Sequence, residues 1–503
     1  MTNQTAAAND TELQASAKLP ASARVVVIGG GAVGCSVLYH LAEMGWTDCV
    51  LLEKNELTSG STWHAAGNCP NFVGSWTMMK MQSYSTELYR KLGDLVDYPM
   101  NYHVTGAIRL AHSRQRMEEF RHVQAMGRHM GVEFEEMSNS DMQAIYPFLE
   151  THDLYGGQFD PLDGDIDPAQ LTQALAKGAR DLGAKVIRFC PVTAVEWNGD
   201  EWKITTPNGE IRAEYVVNAA GYRAGELGKM FGRDVPCVSL AHQYLITEPI
   251  AELTARDEKL PLLRDPDSSY YLRQEKDGLL LGPYEKNCRA HWLSSDDPMP
   301  DDFSFQLYND DLERLEWYIE DACARVPILG TAGITRVVNG PIPYTPDGLP
   351  LLGPMPGVPN AFEACVLPLA LFRRVALASC LLKSSLKAKP RVTVGLLIRA
   401  VLPIMLIPPI PRQKPSKHTA MNMRCISRKF SGQLVANQNV RRFMTGWWLR
   451  VPNLAAMADG NALIGSRPMS LTAVRLIVMI VNIGLMRLVM NVVMLRHMLA
   501  FSN

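Results

Sequence analysis

The ten cysteines are scattered and include no Cys-x-x-Cys pair. That spacing offers neither a disulfide framework nor a zinc site. They read as reduced, mostly buried thiols of a cytoplasmic-type compartment, and no metal is expected. Residues 1–20 lack an apolar core and lack arginine, carrying Asp10, Glu12 and one cation, Lys18. This argues against a secretory signal and a mitochondrial transit peptide, so residues 1–22 read as a disordered leader. Long hydrophobic runs are missing too. The stretch 476–486 is eleven residues between Arg475 and Arg487, too short to span a bilayer. The scarcest feature is negative charge in the last quarter. Residues 366–503 hold twenty Lys+Arg and one acid, Asp459, for a charge of +19. The remainder holds 30 basic and 50 acidic residues, for −20, although the whole chain is only −1. The chain changes character near Cys365. At 503 residues and 47% hydrophobic, it is long enough for two or more domains with a large core.

The richest stretch is Arg24 to Gly67. Val25 to Ile28 is a β-branched apolar run of the kind that forms a buried parallel strand. Gly29, Gly31 and Gly34 follow as G-x-G-x-x-G, then a helical segment Cys35 to Met44 closed by Gly45. A second apolar run, Cys49 to Leu52, delivers Glu53, nineteen residues beyond the last glycine. The first glycine makes the tight turn, the second lets backbone approach a pyrophosphate, and the third lets helix and strand pack closely. The helix N-terminus offers free N–H groups and a positive dipole end to phosphate, and Glu53 can accept from ribose hydroxyls. Strand, helix, second strand and acid together point to dinucleotide binding. They do not separate FAD from NAD.

The segment Leu57 to Gly67, LTSGSTWHAAG, resembles the dimethylglycine dehydrogenase and sarcosine dehydrogenase family of D-amino-acid-oxidase-like flavoproteins. The resemblance implies FAD, bound covalently through the histidine of T-W-H-A-A-G, here His64. It also implies cofactor contacts at Gly29, Gly31, Gly34, Glu53, Lys54, Ser61, Thr62, Val192 and Gly221. The implied fold is α/β (α+β overall). A Rossmann-like FAD-binding domain (23–95, 150–225 and 330–365) carries an inserted antiparallel-sheet substrate domain (96–149 and 226–329).

Met78 to Leu92 and Ser113 to Met130 have helical spacing, and Val104 to Ala111 reads as a strand. Pro168 and the apolar positions Leu171, Leu175, Ala179 and Leu182 signal another helix. The acids before it, Asp160, Asp163, Asp165 and Asp167, lack the terminal glutamate of a calcium loop and read as a helix-capping turn. Asn198-Gly199 and Asn208-Gly209 are turn dipeptides of a hairpin. Tyr215 to Gly221 is a buried strand ending in small residues, suited equally to a flavin contact or to plain strand packing. Val238 to Thr247 and Ser269 to Gly282 read as substrate-domain strands. The family's substrate-amine histidine and tyrosine map to His242 and Tyr271. Oxidation of an N-methyl group needs an unprotonated amine, which such groups can provide. Arg273 is a candidate for the substrate carboxylate. Gly340 to Gly353, GPIPYTPDGLPLLG, resembles the family's return strand and flavin-proximal loop.

After Cys365 the resemblance stops where the family continues into a glycine-rich loop. Back-translated with permitted codons and read one nucleotide earlier, the sequence from Val366 becomes FTLGIVQAGGAGKLLAE. Residues 398–409, 417–427, 437–444 and 457–468 also yield family-like words, in the same frame and order. We therefore read 366–503 as a frameshift product, explicable by one T lost from a T run. It is not expected to fold natively, and its basic apolar composition is an aggregation liability. Tetrahydrofolate would then belong only to the complete family protein.

The implied activity is oxidative N-demethylation of dimethylglycine or sarcosine, with hydride passing from the methyl carbon to flavin. Electrons go onward to an electron-transfer flavoprotein or oxygen, and no nucleic-acid or membrane partner is expected. Two other readings stay open. One is the same chemistry on another secondary or tertiary amino acid. The other is an inactive product whose +19 tail binds nucleic acid or anionic membrane.

Overall fold

A computed structural model describes residues 18–293 and 296–365 of the chain. Leader residues 1–17, and the whole of 366–503 with its frameshift and tail-binding readings, lie outside the described residues.

The first sheet has the order Leu351–Pro354, Ala361–Cys365, Gly209–Asn218, Ser22–Ile28, Cys49–Leu52, Lys185–Ile187. From Ala361–Cys365 onward every neighbouring pair in this order is parallel. The expected hairpin, Ala194–Trp197 and Trp202–Thr206, joins antiparallel beside Gly209–Asn218. Val25 to Ile28 are buried on both faces, as a central parallel strand requires. The register is level, with Ile28 opposite both Leu52 and Asn218. The three carboxyl ends therefore stop at one edge, the place where open α/β sheets bind ligands. The first strand starts at Ser22, paired with Arg212, so the end of the expected leader belongs to the sheet. Helix Ala32–Glu43 covers one face and packs Leu38, Leu41 and Ala42 among Leu171, Ala174 and Leu175 of helix Pro168–Asp181.

The second sheet has nine strands and centres on Val238–Thr247, paired along its length with Ile334–Tyr344. It is antiparallel except where Leu262–Asp265 runs parallel to Ala107–Ala111. Two strands expected with the nucleotide-binding segments join this sheet instead: Gly156–Asp160 pairs with Ala107–Ala111, and Ile334–Tyr344 with Val238–Thr247. Pairing partners of this kind are distant in sequence, so the chain's turn signals do not mark them. Side chains alternate across the sheet. Ile108, Leu245, Leu263, Leu272 and Leu281 point to one side, where Leu253, Leu315 and Leu329 complete an apolar core. The opposite side is largely polar.

The acid cluster divides its work. Only Asp167 caps the following helix, accepting from Ala169 N–H at 2.8 Å and Gln170 N–H at 3.0 Å. Asp160, Asp163 and Asp165 serve longer-range contacts described below, so the simple capping-turn reading is corrected for those three. Their partners sit on other strands and could not be read locally.

Candidate active site

A cleft of about 690 Å³ opens at the carboxyl edge of the first sheet. Gly29, Gly31, Glu53, Lys54, Ser61, Thr62, Val192 and Gly221 all line it. Gly34 does not. Its place is one turn into the helix, where any Cβ would collide with the Gly29 carbonyl oxygen. Gly29 itself has φ +119° and passes so close to Ala219 that a side chain is excluded. Gly31 is the N-cap of helix Ala32–Glu43 and supplies no side-chain cap. The Thr62 hydroxyl accepts from Ala32 N–H at 3.2 Å. Glu53 accepts from Gly30 N–H at 2.5 Å and Asn55 N–H at 2.8 Å. Burial pushes its carboxyl above the usual range. Each oxygen keeps a lone pair for a further donor such as a ribose hydroxyl. A side-chain-free turn, a helix N-terminus and a buried acid fit the ADP half of FAD.

One side of this cleft comes from a distant segment that sequence reading missed. Asp301, Asp302 and Phe303 line it. Lys54 Nζ donates to the Asp301 carbonyl at 2.7 Å, and Arg223 to that of Pro300 at 2.6 Å. The Tyr222 hydroxyl donates to the Phe303 carbonyl at 3.0 Å, and Phe305 N–H to that of Ser59 at 3.0 Å. The strap is thus tied to the nucleotide side at four points. Nothing in the local sequence around Asp301 signals it.

His64 is not among the cleft-lining residues. It is 6% exposed and lies against Gly340, where a Cβ would come 2.6 Å from its ring. Gly340 is directly opposite His242 in the second sheet. Ser61 Oγ donates to the Pro341 carbonyl at 2.6 Å. The polar face of the second sheet is therefore the face next to the TWHAAG loop.

His242 and Tyr271 both lie on that face. The His242 side chain is 10% exposed, with Nδ1 4.0 Å from Glu285 Oε1. Burial, helped by the positive charge of Arg314, lowers its pKa to about 4. Its ring stacks on Tyr284 at 6.4 Å, and Tyr284 in turn meets Tyr271 at 5.6 Å. Tyr271 stands over Gly282, which leaves room for the ring. Burial raises its phenol pKa, so it stays protonated. Tyr284 was missed by sequence reading because it falls just past the glycine taken as the strand's end.

Arg273 shares the face but is occupied. It lies 3.5 Å from Asp165 and 2.6 Å from Glu275. Both carboxylates face its Nη1 and compete there with a substrate carboxylate. Beside it, Arg264 donates from Nε and Nη2 to Asp163 at 3.0–3.1 Å. Lys259 reaches Asp165 at 2.6 Å. Asp160 accepts from Asn71 N–H at 3.0 Å, and burial beside Asp163 raises its pKa to about 6. Donor atoms of His242, Glu285 and Cys288 lie within 4.8 Å of one another. Glu285 is already engaged by Gln243 N–H at 3.1 Å and by Arg314 at 3.0 Å. A cation there would have to displace the guanidinium. Among the described residues no helix is long and apolar enough to cross a membrane.

The sequence profile of the FAD dependent oxidoreductase family matches residues 24–368. The chain is 43% identical over 347 residues to dimethylglycine dehydrogenase, mitochondrial, of Homo sapiens, covering 68% of this chain and 40% of that protein. It is 37% identical over 354 residues to sarcosine dehydrogenase, mitochondrial, of Homo sapiens, covering 69% and 38%. The chain thus spans about two-fifths of the length of these relatives. Both relatives are mitochondrial proteins by name, in contrast to the compartment expected from cysteine usage. The fold is similar to that of L-proline dehydrogenase from P. horikoshii, with a TM-score of 0.65 at 23% identity, covering 74% of this chain and 96% of that one.

Proposed function

The chain belongs to the FAD dependent oxidoreductase family, and from that premise we propose that it is built to oxidise an N-methylated amino acid, dimethylglycine or sarcosine. The observation that carries this reading is the pairing of two surfaces. One is a nucleotide cleft with the side-chain-free Gly29 turn and Glu53. The other is a polar sheet face holding His242 and Tyr271 next to the His64 loop. FAD, held by the cleft and tethered at His64, supplies the two-electron acceptor for the methyl C–H bond.

The residues handle the proton and the water. An N-methyl amino acid is an ammonium ion at neutral pH, and its nitrogen lone pair must be freed before the methyl carbon can lose hydride. With a pKa near 4, His242 is a neutral imidazole at pH 7, which does not repel the ammonium and can accept its hydrogen bond and relay the proton toward solvent rather than hold it. Tyr271, held protonated by burial, donates or relays a hydrogen bond at the same amine. The iminium left after oxidation adds water and splits into formaldehyde and the demethylated amine. In the complete family protein tetrahydrofolate captures the one-carbon unit. The final electron acceptor is an electron-transfer flavoprotein or oxygen.

The test is to express the 503-residue chain and look for flavin fluorescence on a denaturing gel, with H64A as control. Formaldehyde release from dimethylglycine and sarcosine is then followed with an artificial electron acceptor. The reading expects a fluorescent band that H64A loses, and formaldehyde from at least one substrate. Flavin-loaded protein that turns over neither, but oxidises a larger secondary amino acid, moves the substrate assignment. Protein that never retains flavin removes the enzyme assignment for this chain.

A further inference from the structure

Three side chains of different chemistry meet beside the strand that carries His242. Glu285 and Cys288 flank the turn at Lys286-Asn287, which follows strand Gly278–Pro283. That turn is pinned to strand Val238–Thr247 on both sides of His242. Ala241 N–H donates to the Arg289 carbonyl at 2.7 Å, and Gln243 N–H to Glu285 Oε1 at 3.1 Å. One imidazole nitrogen, one carboxylate oxygen and Cys288 Sγ are thereby held within 4.8 Å of one another. Imidazole, thiolate and carboxylate are together a donor set for zinc, whereas magnesium and calcium take oxygen ligands. Tetrahedral zinc, with bonds of about 2.0–2.3 Å, sets its ligand atoms about 3.3–3.7 Å apart. His242 Nδ1 and Glu285 Oε1 are 4.0 Å apart, so closing the set needs side-chain shifts of about 1 Å. Cys288 is partly exposed, which gives an ion a way in and leaves the fourth position to water.

The carboxylate at this corner is poorly used. The Glu285 side chain is 2% exposed, and Arg314 Nε lies 3.0 Å from its Oε2. The contact is out of line for a hydrogen bond, so Glu285 Oε2, Arg314 Nε and Arg314 Nη2 have no hydrogen-bond partner. A buried carboxylate in that position gains when a better ligand arrives. The guanidinium has a second carboxylate in reach, Asp311 Oδ2 at 3.6 Å from Nε. A divalent cation that displaces it from Glu285 therefore leaves neither charge alone. We propose that His242, Glu285 and Cys288 form a zinc site that switches the polar face off. As the zinc–sulfur bond forms, Cys288 gives up to water the proton that it now directs at the Glu285 carbonyl, 3.1 Å away, and nothing is oxidised or reduced. A neutral imidazole has one acceptor nitrogen. With zinc on that nitrogen, the other is N–H and cannot accept the hydrogen bond of an ammonium. The ion site stands on this geometry alone, and the inhibition rests on the reading of His242 as the group that faces the substrate amine.

The test titrates the flavin-loaded chain with zinc chloride and, separately, with cobalt(II) chloride. Wild type is compared with C288S and with C323S, which alters a partly exposed cysteine on another element, helix Glu316–Arg325. Losing a ligand is expected to weaken zinc binding by at least about 10–100-fold in C288S, the loss that even an outer contact of a metal site brings. C323S is expected to bind as wild type does. Cobalt should give thiolate-to-metal charge-transfer absorption in wild type and C323S, and none in C288S. Zinc should also stop formaldehyde release, a chelator should restore it, and C288S should keep the basal rate while resisting zinc. C288A serves if C288S melts early. Equal zinc affinity in wild type and C288S, or no cobalt–thiolate absorption in wild type, overturns the site. Zinc bound through Cys288 with turnover unchanged overturns the switch. A chain that releases no formaldehyde even without zinc fails the demethylase reading instead, and the two titrations still decide the site.

Discussion

Replacing Arg264 by methionine probes the ion pair on which the polar face is built. Arg264 and Asp163 meet at 3.0–3.1 Å with side-chain exposures of 6% and 0%. At an effective dielectric of about 20, two charges this close attract by about 5–6 kcal/mol. Most of that offsets desolvation, so an apolar pair of similar volume would be nearly as stable, whereas removing one partner costs about 3–5 kcal/mol. The two single variants should differ. In R264M, Asp163 keeps Arg109 at 3.8 Å and the Gly164 N–H at 2.8 Å, placing the loss near the lower end, about 3 kcal/mol. In D163N, Arg264 and Arg109 both lose their nearest carboxylate, placing it near the upper end, about 5 kcal/mol. The double variant should cost about 2 kcal/mol less than the two singles added, since only Arg109 is then left without its carboxylate. Urea denaturation at pH 7 measures all three, provided the m-value stays constant. Losses under about 1 kcal/mol for both singles would refute the burial argument. R264M costing more than D163N would refute the assignment of Asp163 as a counterion shared by two arginines.

Three further outcomes follow from single residues. G34A forces a methyl against the Gly29 carbonyl oxygen, so it should lose about 1–3 kcal/mol of stability and most bound flavin; a normal ratio of flavin to protein absorbance would contradict this. For His242, the folded pKa of about 4 lies below the ordinary 6.5. Between those values the unfolded chain binds a proton that the folded chain does not. Stability therefore rises from pH 4 to 6.5 by up to about 3 kcal/mol from this residue, and is lost as pH falls through the unfolded value. H242Q should flatten that slope in urea titrations, and an unchanged slope counts against a buried neutral imidazole. D167A removes the cap on helix Pro168–Asp181 and should cost about 1 kcal/mol, read by the same denaturation.

Much of the nucleotide half was legible because its signals are local. A β-branched run, three glycines at fixed spacing, a helix and an acid follow one another within thirty residues, and backbone sterics leave few ways to fold them. Pro168 behind Asp167, and the Asn-Gly turns, are equally local, and the helix and hairpin stand where they were expected. What joins distant segments was not legible. Gly156–Asp160 and Ile334–Tyr344 chose the second sheet through partners that no turn residue announces. The strap at Asp301–Phe303 reaches the cleft through backbone carbonyls, which any sequence could supply.

By itself, the sequence determined the βαβ unit, the family likeness through Cys365 and the strands bearing His242 and Tyr271, since periodicity and motif spacing are properties of contiguous residues. Only the tertiary structure decided which arginine is short of a counterion. Arg273 and Arg109 look alike in the chain, and they differ because strand register sets Asp165 and Glu275 beside one and leaves the other sharing Asp163. Charge balance in a buried face depends on distances across strands, and those exist only once the sheet has formed.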